Sequence, residues 1–294
     1  MNERVRTLIV LLLGAVAALA QGAEPKRFVV AAPVVDMHKA PSVDADVVSQ
    51  AIFSSGVTLL EREGDWAKIR TEIDGYLGWV RAWALAADND AEPYPSGRVA
   101  TVTSLFANLY REPNIETHRP VITIPFESRL EILGEKVDDG VTYYEARLPE
   151  GTKAWIQKGD VELGPLKTLT IDESIALGKR FIGLPYQWGG TTSRGYDCSG
   201  FTQMLMRRRG FAIPRDSTPQ SKWDGSATID RAELQPGDLL YFGKPAEKKV
   251  NHTGMYIGGG EFIHATRAGR PSVQIGRLDD PHWSDRFVLA RRVK

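Results

Sequence analysis

Cys198 is the only cysteine among 294 residues, and five histidines accompany it: His38, His118, His252, His264 and His282. A thiol becomes a nucleophile toward a carbonyl carbon when an imidazole takes its proton. Cys198 follows Tyr196-Asp197 and precedes Ser199-Gly200; Phe201, Met204, Leu205 and Met206 then recur at helical spacing as far as Arg207-Arg208-Arg209-Gly210. That pattern predicts a helix beginning at Cys198. Unpaired N–H groups and the positive end of the helix dipole there favour thiolate over thiol. The three arginines suit the opposite, C-terminal end.

Two imidazoles fall on candidate neighbouring strands, 250–257 and 261–265, which flank Gly258-Gly259-Gly260. A hairpin centred on Gly258 puts His252 opposite His264; one centred on Gly259 puts His264 opposite Gly254. In either register both histidines share a face, whereas a two-residue loop would put them on opposite faces. Cys198, His252 and His264 are therefore the candidate catalytic set. His252 is read as the base, and His264 as the group that binds its far nitrogen and fixes tautomer and orientation, as a carboxylate does in other triads. Zinc ligation by the same three residues is the rival chemistry, although no fourth ligand stands out and neither metal nor other cofactor is expected.

Several elements must position this set. From 28 to 85 short β-rich runs alternate with turns: Trp66-Ala67-Lys68-Ile69-Arg70 reads as a half-buried strand and Asp74-Gly75 as a tight turn. A looser second copy runs from 98 to 156, with 143–156 aligning on 66–80. These segments predict two small all-β barrels, 24–92 and 93–166. A helix over 171–183, with Asp172-Glu173-Ser174 in its first turn and Gly183-Leu184-Pro185 as its stop, opens a third region, 167–294. Its mixed helix and strand signals indicate an α+β domain.

At the N-terminus Arg4 and Arg6 precede an apolar run, 7–20, that ends in Ala18-Leu19-Ala20. It reads as a secretory signal peptide, 1–23, cleaved after Ala20 or Ala23; a retained anchor is the alternative. An exported chain normally carries paired cysteines or none, so a lone thiol points to chemical work. With 37 basic against 37 acidic residues the net charge is zero, and no whole-chain field draws the protein to nucleic acid or an anionic membrane.

The third region resembles the NlpC/P60 family of cell-wall cysteine peptidases. The resemblance is carried by Pro185-Tyr186-Gln187-Trp188-Gly189-Gly190, Tyr196-Asp197-Cys198-Ser199-Gly200-Phe201, Pro214-Arg215-Asp216-Ser217, 234–242, 252–258 and Phe262-Ile263-His264-Ala265, in that order. It implies a papain-like core with Cys198, His252 and His264 catalytic and the phenol of Tyr186 beside the nucleophile. Gly64-Asp65-Trp66-Ala67-Lys68-Ile69 and Gly75-Tyr76-Leu77-Gly78-Trp79-Val80 resemble bacterial SH3-like domains. The whole chain looks like the subgroup with two such domains before the peptidase. That likeness implies that the first barrel walls one end of the cleft, that Tyr76 contacts substrate, and that Asp197, Ser199 and Ser217 bind the peptide and its free amine. An acidic residue facing that amine is missing from 37–41; Asp36, Asp44 and Asp46 are the nearest substitutes.

The expectation is thus an exported, monomeric thiol peptidase that cuts the amide between D-glutamate and the diamino acid of peptidoglycan stem peptides. Its rivals are a non-catalytic wall-binding protein with a relic third domain, and an acyltransferase of the same fold.

Overall fold

The computed structural model describes residues 26–88 and 92–294. The expected signal peptide lies outside them. No helix of the described residues is long and apolar enough to cross a membrane.

Seven strands form the first sheet: β1 (Lys26–Val30), β2 (Val34–His38), β3 (Val47–Ile52), β4 (Gly56–Glu63), β5 (Trp66–Thr71), β6 (Leu77–Arg81) and β7 (Leu85–Ala87). Their order is β3-β2-β6-β5-β4-β1-β7. The second sheet comprises β8 (Val99–Val102), β9 (Phe106–Tyr110), β10 (Ile122–Pro125), β11 (Arg129–Asp138), β12 (Val141–Arg147), β13 (Lys153–Gln157) and β14 (Val161–Leu163). Its order, β10-β9-β13-β12-β11-β8-β14, repeats the first strand for strand. The loose internal repeat is therefore a repeat of topology. Each sheet closes on its own core, Val30, Val57, Ile69 and Val80 in one, Leu109, Leu130, Tyr144 and Ile156 in the other.

The third unit begins with α1 (Ile171–Arg180), started by a reciprocal cap in which Thr170 and Glu173 each bind the other's backbone N–H. The short strands β15 (Thr191–Thr192) and β16 (Gly195–Tyr196) lead into α2 (Cys198–Arg208), and α3 (Ser217–Ser221) follows. The sheet is built from β17 (Ser226–Ile229), β18 (Leu239–Lys244), β19 (Lys249–Gly258), β20 (Glu261–Thr266), β21 (Ser272–Arg277) and β22 (Phe287–Val293), with α4 (Pro281–Ser284) before the last strand. It runs β17-β22-β18-β19-β20-β21. The α2 helix is buried at every residue from Cys198 to Met206, packing against β19 and β20 through Met204, Leu205, Met255 and Ile263. The fold is an SH3-like all-β region followed by an α+β domain.

The barrels interlock with that domain. Phe126 of the second barrel enters its core, 5.3 Å from the Phe181 ring and nearly perpendicular to it. Arg207 pairs with Glu127 at 2.5 Å, so this member of the arginine triplet ties two domains together as well as suiting the helix end. From the first barrel Asp74 accepts from Gln203 of α2 at 3.0 Å, and Gln50 accepts from the Thr191 amide at 3.1 Å.

Candidate active site

Cys198 is the first residue of α2, and Asp197 is its N-cap, accepting from the Gly200 amide at 2.7 Å. This leaves the earlier N–H groups of the first turn without helical partners. The thiol is buried, 7% exposed. Burial first, then the Asp197 charge, push it up to about 12; backbone N–H groups of Thr253 and Ser199, with Arg215 between them in effect, pull the other way. Desolvation and the capping carboxylate thus oppose the helix terminus at this thiol.

The histidines meet by a route the sequence did not reveal. Gly258 pairs with Glu261, a two-residue Gly259-Gly260 turn with φ of 62° and 79°, the arrangement that should have separated the imidazoles. A bulge between Tyr256 and Gly258 shifts the register by one, so that Tyr256 faces Phe262 and Met255 faces Ile263. Both histidines return to one face. Extending that register, Gly254 stands opposite His264, where a Cβ would lie 3.0 Å from the His264 Cβ and 2.8 Å from the Phe262 ring. The bare glycine lets the His264 ring lean diagonally to His252, and His252 Nε2 lies 2.8 Å from His264 Nδ1.

That contact engages Nε2 of His252, and Thr253, the next residue, brings its amide to the Cys198 sulfur. With Nδ1 as acceptor, His252 donates from Nε2 and His264 accepts, which fixes both tautomers chemically. Burial, then the charges of His282, Arg267 and Arg286, lower His252 to about 3. Burial and the two neighbouring imidazoles also hold His264, 1% exposed, well below the usual histidine range. A carboxylate third member would raise the base; a neutral imidazole does not. Burial thus favours the neutral form at the thiol and at both imidazoles.

Trp283 of α4 was not foreseen in this role. Its indole stacks on His252 with centroids 5.0 Å apart and planes 26° apart, and meets His264 edge-on at 4.8 Å. It covers one face of the His252 ring. Trp283→Leu should lower kcat by about one to two orders of magnitude with KM little changed, and Trp283→Phe by less, because small misplacement of a base is costly. Raised proton affinity of His252 should appear as an acid limb moved to higher pH in Trp283→Leu. An unchanged pH profile in that variant would reduce Trp283 to ordinary packing.

The remaining expected residues separate into two groups. Asp197 and Ser199 sit in a buried network around Arg215, itself 3% exposed. Arg215 donates to Asp197 Oδ1 and Oδ2 at 3.0 and 2.6 Å and to Ser199 Oγ at 3.0 Å. Ser199 Oγ also donates to Asp197 Oδ1 at 3.2 Å. The Ser199 hydroxyl is engaged here as donor and as acceptor and keeps one further lone pair; Asp197 keeps acceptor capacity at Oδ2.

Tyr76 and Tyr186 are both half-buried. Burial and then the Cys198 charge push the Tyr186 phenol up, which keeps it protonated beside the sulfur. Tyr76 donates to Asp216 Oδ2 at 3.1 Å, joining the first barrel to the third unit. Asp216 occupies the N-cap position of α3, yet its side chain makes no capping bond. It is turned instead to Tyr76, and burial raises it above the usual carboxylate range. Asp36 is taken by Gln50 at 2.9 Å. Ser217 opens α3 half-buried. A carboxylate at an N-cap that does not cap was the sequence signal available, but only contacts reveal it.

No group of three or more His, Cys, Asp or Glu side chains able to hold a metal ion occurs among the described residues.

Residues 183–292 match the NlpC/P60 family model, and residues 37–85 match the bacterial dipeptidyl-peptidase SH3 domain. The chain is 37% identical over 262 residues to a γ-D-glutamyl-L-lysine dipeptidyl-peptidase of Bacillus cereus, covering 83% of this chain and 74% of that protein. A Bacillus subtilis protein of the same name is 28% identical over 257 residues, covering 85% of this chain and 82% of that one. The crystal structure of an NlpC/P60 family protein from Bacillus cereus superposes with a TM-score of 0.78 at 30% identity, covering 91% of this chain and 99% of the other. Likeness of this extent, spanning barrels and catalytic domain together, places the chain in the NlpC/P60 family as a cysteine peptidase of the cell wall.

Proposed function

We propose that the protein is an exported γ-D-glutamyl-diamino acid endopeptidase that cleaves stem peptides carrying a free N-terminal L-alanine. The observation that carries this reading is the Tyr76–Asp216 contact, which brings a carboxylate and the first barrel together beside α3. Such an acceptor suits a substrate terminus that is a cationic amine. The relatives from Bacillus cereus and Bacillus subtilis carry names for the same γ-D-glutamyl linkage. Arg4, Arg6 and the apolar run 7–20 support export, and peptidoglycan lies outside the cytoplasm.

The reaction uses Cys198 as nucleophile. As its sulfur attacks the scissile carbonyl carbon, the thiol proton passes to His252 Nδ1, and His264 accepts from Nε2 of the imidazolium formed. Free N–H groups at the start of α2 and the Tyr186 hydroxyl receive the oxyanion. His252 returns the proton to the departing amine as the C–N bond breaks. Water, deprotonated by the same base, then attacks the L-alanyl-D-glutamyl thioester; the C–S bond breaks, the proton on His252 returns to the sulfur, and L-alanyl-D-glutamate leaves. Asp216, with Tyr76, Asp197 Oδ2 and Ser217, holds the amine end.

The test is cleavage of L-Ala-γ-D-Glu-diamino acid tripeptides, free or acetylated at the N-terminus, followed by mass spectrometry. The wild type should cut the free peptide and lose about two orders of magnitude in kcat/KM on acetylation; Asp216→Asn should lose a similar factor on the free peptide and little on the acetylated one. Cys198→Ala should cut neither. Equal cleavage of both peptides by the wild type would remove the amine requirement, and no cleavage of either would remove the γ-glutamyl reading.

A further inference from the structure

The turn between β5 and β6, which carries Tyr76, is held by a carboxylate that the reaction above does not use. Asp74 Oδ1 accepts from the Thr71 hydroxyl at 2.5 Å and from the Tyr76 amide at 3.2 Å, and that amide also donates to Thr71 Oγ1 at 2.9 Å. The Gly75 amide closes the turn on the Thr71 carbonyl at 3.0 Å, with Gly75 at a φ of 70°, where a side chain would be strained. One oxygen of Asp74 thus fixes the backbone of Tyr76. The other reaches a different domain: Asp74 Oδ2 accepts from Gln203 Nε2 at 3.0 Å. Gln203 is buried, 6% exposed, on the helix whose first residue is Cys198.

The same nitrogen of Gln203 donates to the Ile213 carbonyl at 3.2 Å, so both of its N–H groups are engaged. Ile213 leads into Pro214-Arg215-Asp216, and Asp216 Oδ2 takes the Tyr76 hydroxyl at 3.1 Å. These contacts make a closed circuit. It runs from the Tyr76 hydroxyl to Asp216, back along the chain to Ile213, across to Gln203 and Asp74, and returns to the Tyr76 amide. Both ends of Tyr76, and the carboxylate it holds, are therefore referred to one point on the nucleophile's helix. With the Asp74–Gln203 link cut, the exposed turn 72–75 would answer only to its own barrel.

We propose that Asp74 is a positioning residue for the amine end: through Gln203 it registers Tyr76 and Asp216 to the helix that begins with Cys198, and so sets how strongly a free N-terminus is preferred. The proposal rests on the free-amine reading, and its test keeps the two apart. L-Ala-γ-D-Glu-diamino acid tripeptides, free and N-acetylated, are given to the wild type, Asp74→Asn, Gln203→Met, the double variant and Glu72→Gln. Asparagine keeps an oxygen for Thr71 and Tyr76 but turns an amide nitrogen on Gln203. Methionine removes the donor while leaving the Asp74 charge in place, which separates the link from simple attraction of the amine. Each single variant should raise KM for the free peptide about tenfold with kcat little changed and leave the acetylated peptide within about twofold, because a contact remote from the scissile carbonyl is being loosened. The double variant should lose no more than the worse single, since both cut the same link. Glu72→Gln, on the same turn but bonded to Arg27, should match the wild type.

The two single variants cut the link from opposite sides, so either carries the test where the other fails to fold. An unchanged preference in both, a loss equal on the two peptides, as a merely structural contact would give, or additive losses in the double variant would each overturn the proposal and leave the free-amine reading standing. A wild type that cuts both peptides alike removes the free-amine reading, one that cuts neither removes the γ-glutamyl reading, and the role of Asp74 falls with either.

Discussion

Replacement of His252 by alanine should lower kcat/KM by roughly three to four orders of magnitude, and Cys198→Ala should abolish turnover. The loss is expected to be so large because this thiol does not ionise unaided. Burial pushes Cys198 up to about 12 and His252 down to about 3, so the free enzyme holds S–H and neutral imidazole across the physiological range. Proton transfer must accompany attack. The sign of the pH dependence follows: a base lowered below the ordinary histidine value stays competent as pH falls through about 6.5, and activity should show no acid limb there. Thiolate absorbance near neutrality should be absent, and the acylation step should slow in D2O. A resting ion pair would give the opposite, namely ultraviolet thiolate absorbance at neutral pH and little isotope effect.

His264 separates orientation from charge in the same experiment. His264→Ala removes the acceptor at His252 Nε2, 2.8 Å away, and should cost about two orders of magnitude in kcat. His264→Asn, which can present a carbonyl oxygen there, should recover part of that loss. Failure of asparagine to improve on alanine would mean that packing beside Phe262 and Trp283, 4.5 and 4.8 Å from the His264 ring, is what matters.

How much of this site was legible in the sequence depends on the range of the interaction. The cysteine and the two histidines are rare residue types in strongly patterned segments, so helix start, strand pair and shared face could be read locally. The turn could not be. Three successive glycines permit several centres, and the bulge at Ile257 that rescues the shared face is a choice made by packing of Tyr256, Met255 and their partners across the sheet. Long-range contacts were less legible still. Arg215 reaches Ser49 across 166 residues of sequence, and Tyr76 reaches Asp216 across 140. Nothing in either segment alone says that the other is near. Trp283 follows a short Asp-Pro-His run that reads as a helix start and gives no hint that its indole covers the base. The first barrel, by contrast, was visible because its Gly-Asp-Trp and Gly-Tyr-x-Gly-Trp turns sit at local spacing, and the second as a looser copy of it.

The second large effect concerns stability and assembly. Arg215→Met should destabilise the folded protein by about 3–5 kcal/mol, because it strands the buried Asp197 carboxylate that the guanidinium holds at 2.6 Å. The same change also releases Ser49 of the first barrel, 3.2 Å from Arg215 Nε, and frees Ser199 at the second residue of α2. Asp197→Asn removes the charge but keeps an oxygen able to cap the Gly200 amide, so adding it to Arg215→Met should restore part of the loss, whereas two independent sites would simply add. Urea unfolding of the four members of this cycle, followed by intrinsic tryptophan fluorescence, measures the coupling. A residual double-mutant activity well below that of Asp197→Asn alone would show that Arg215 also sets the geometry of the cleft, through the barrel it anchors. Additive losses in the cycle would mean that the ion pair is not what joins the nucleophile's helix to the first barrel, and the seam would then rest on Gln203–Asp74 and Thr191–Gln50.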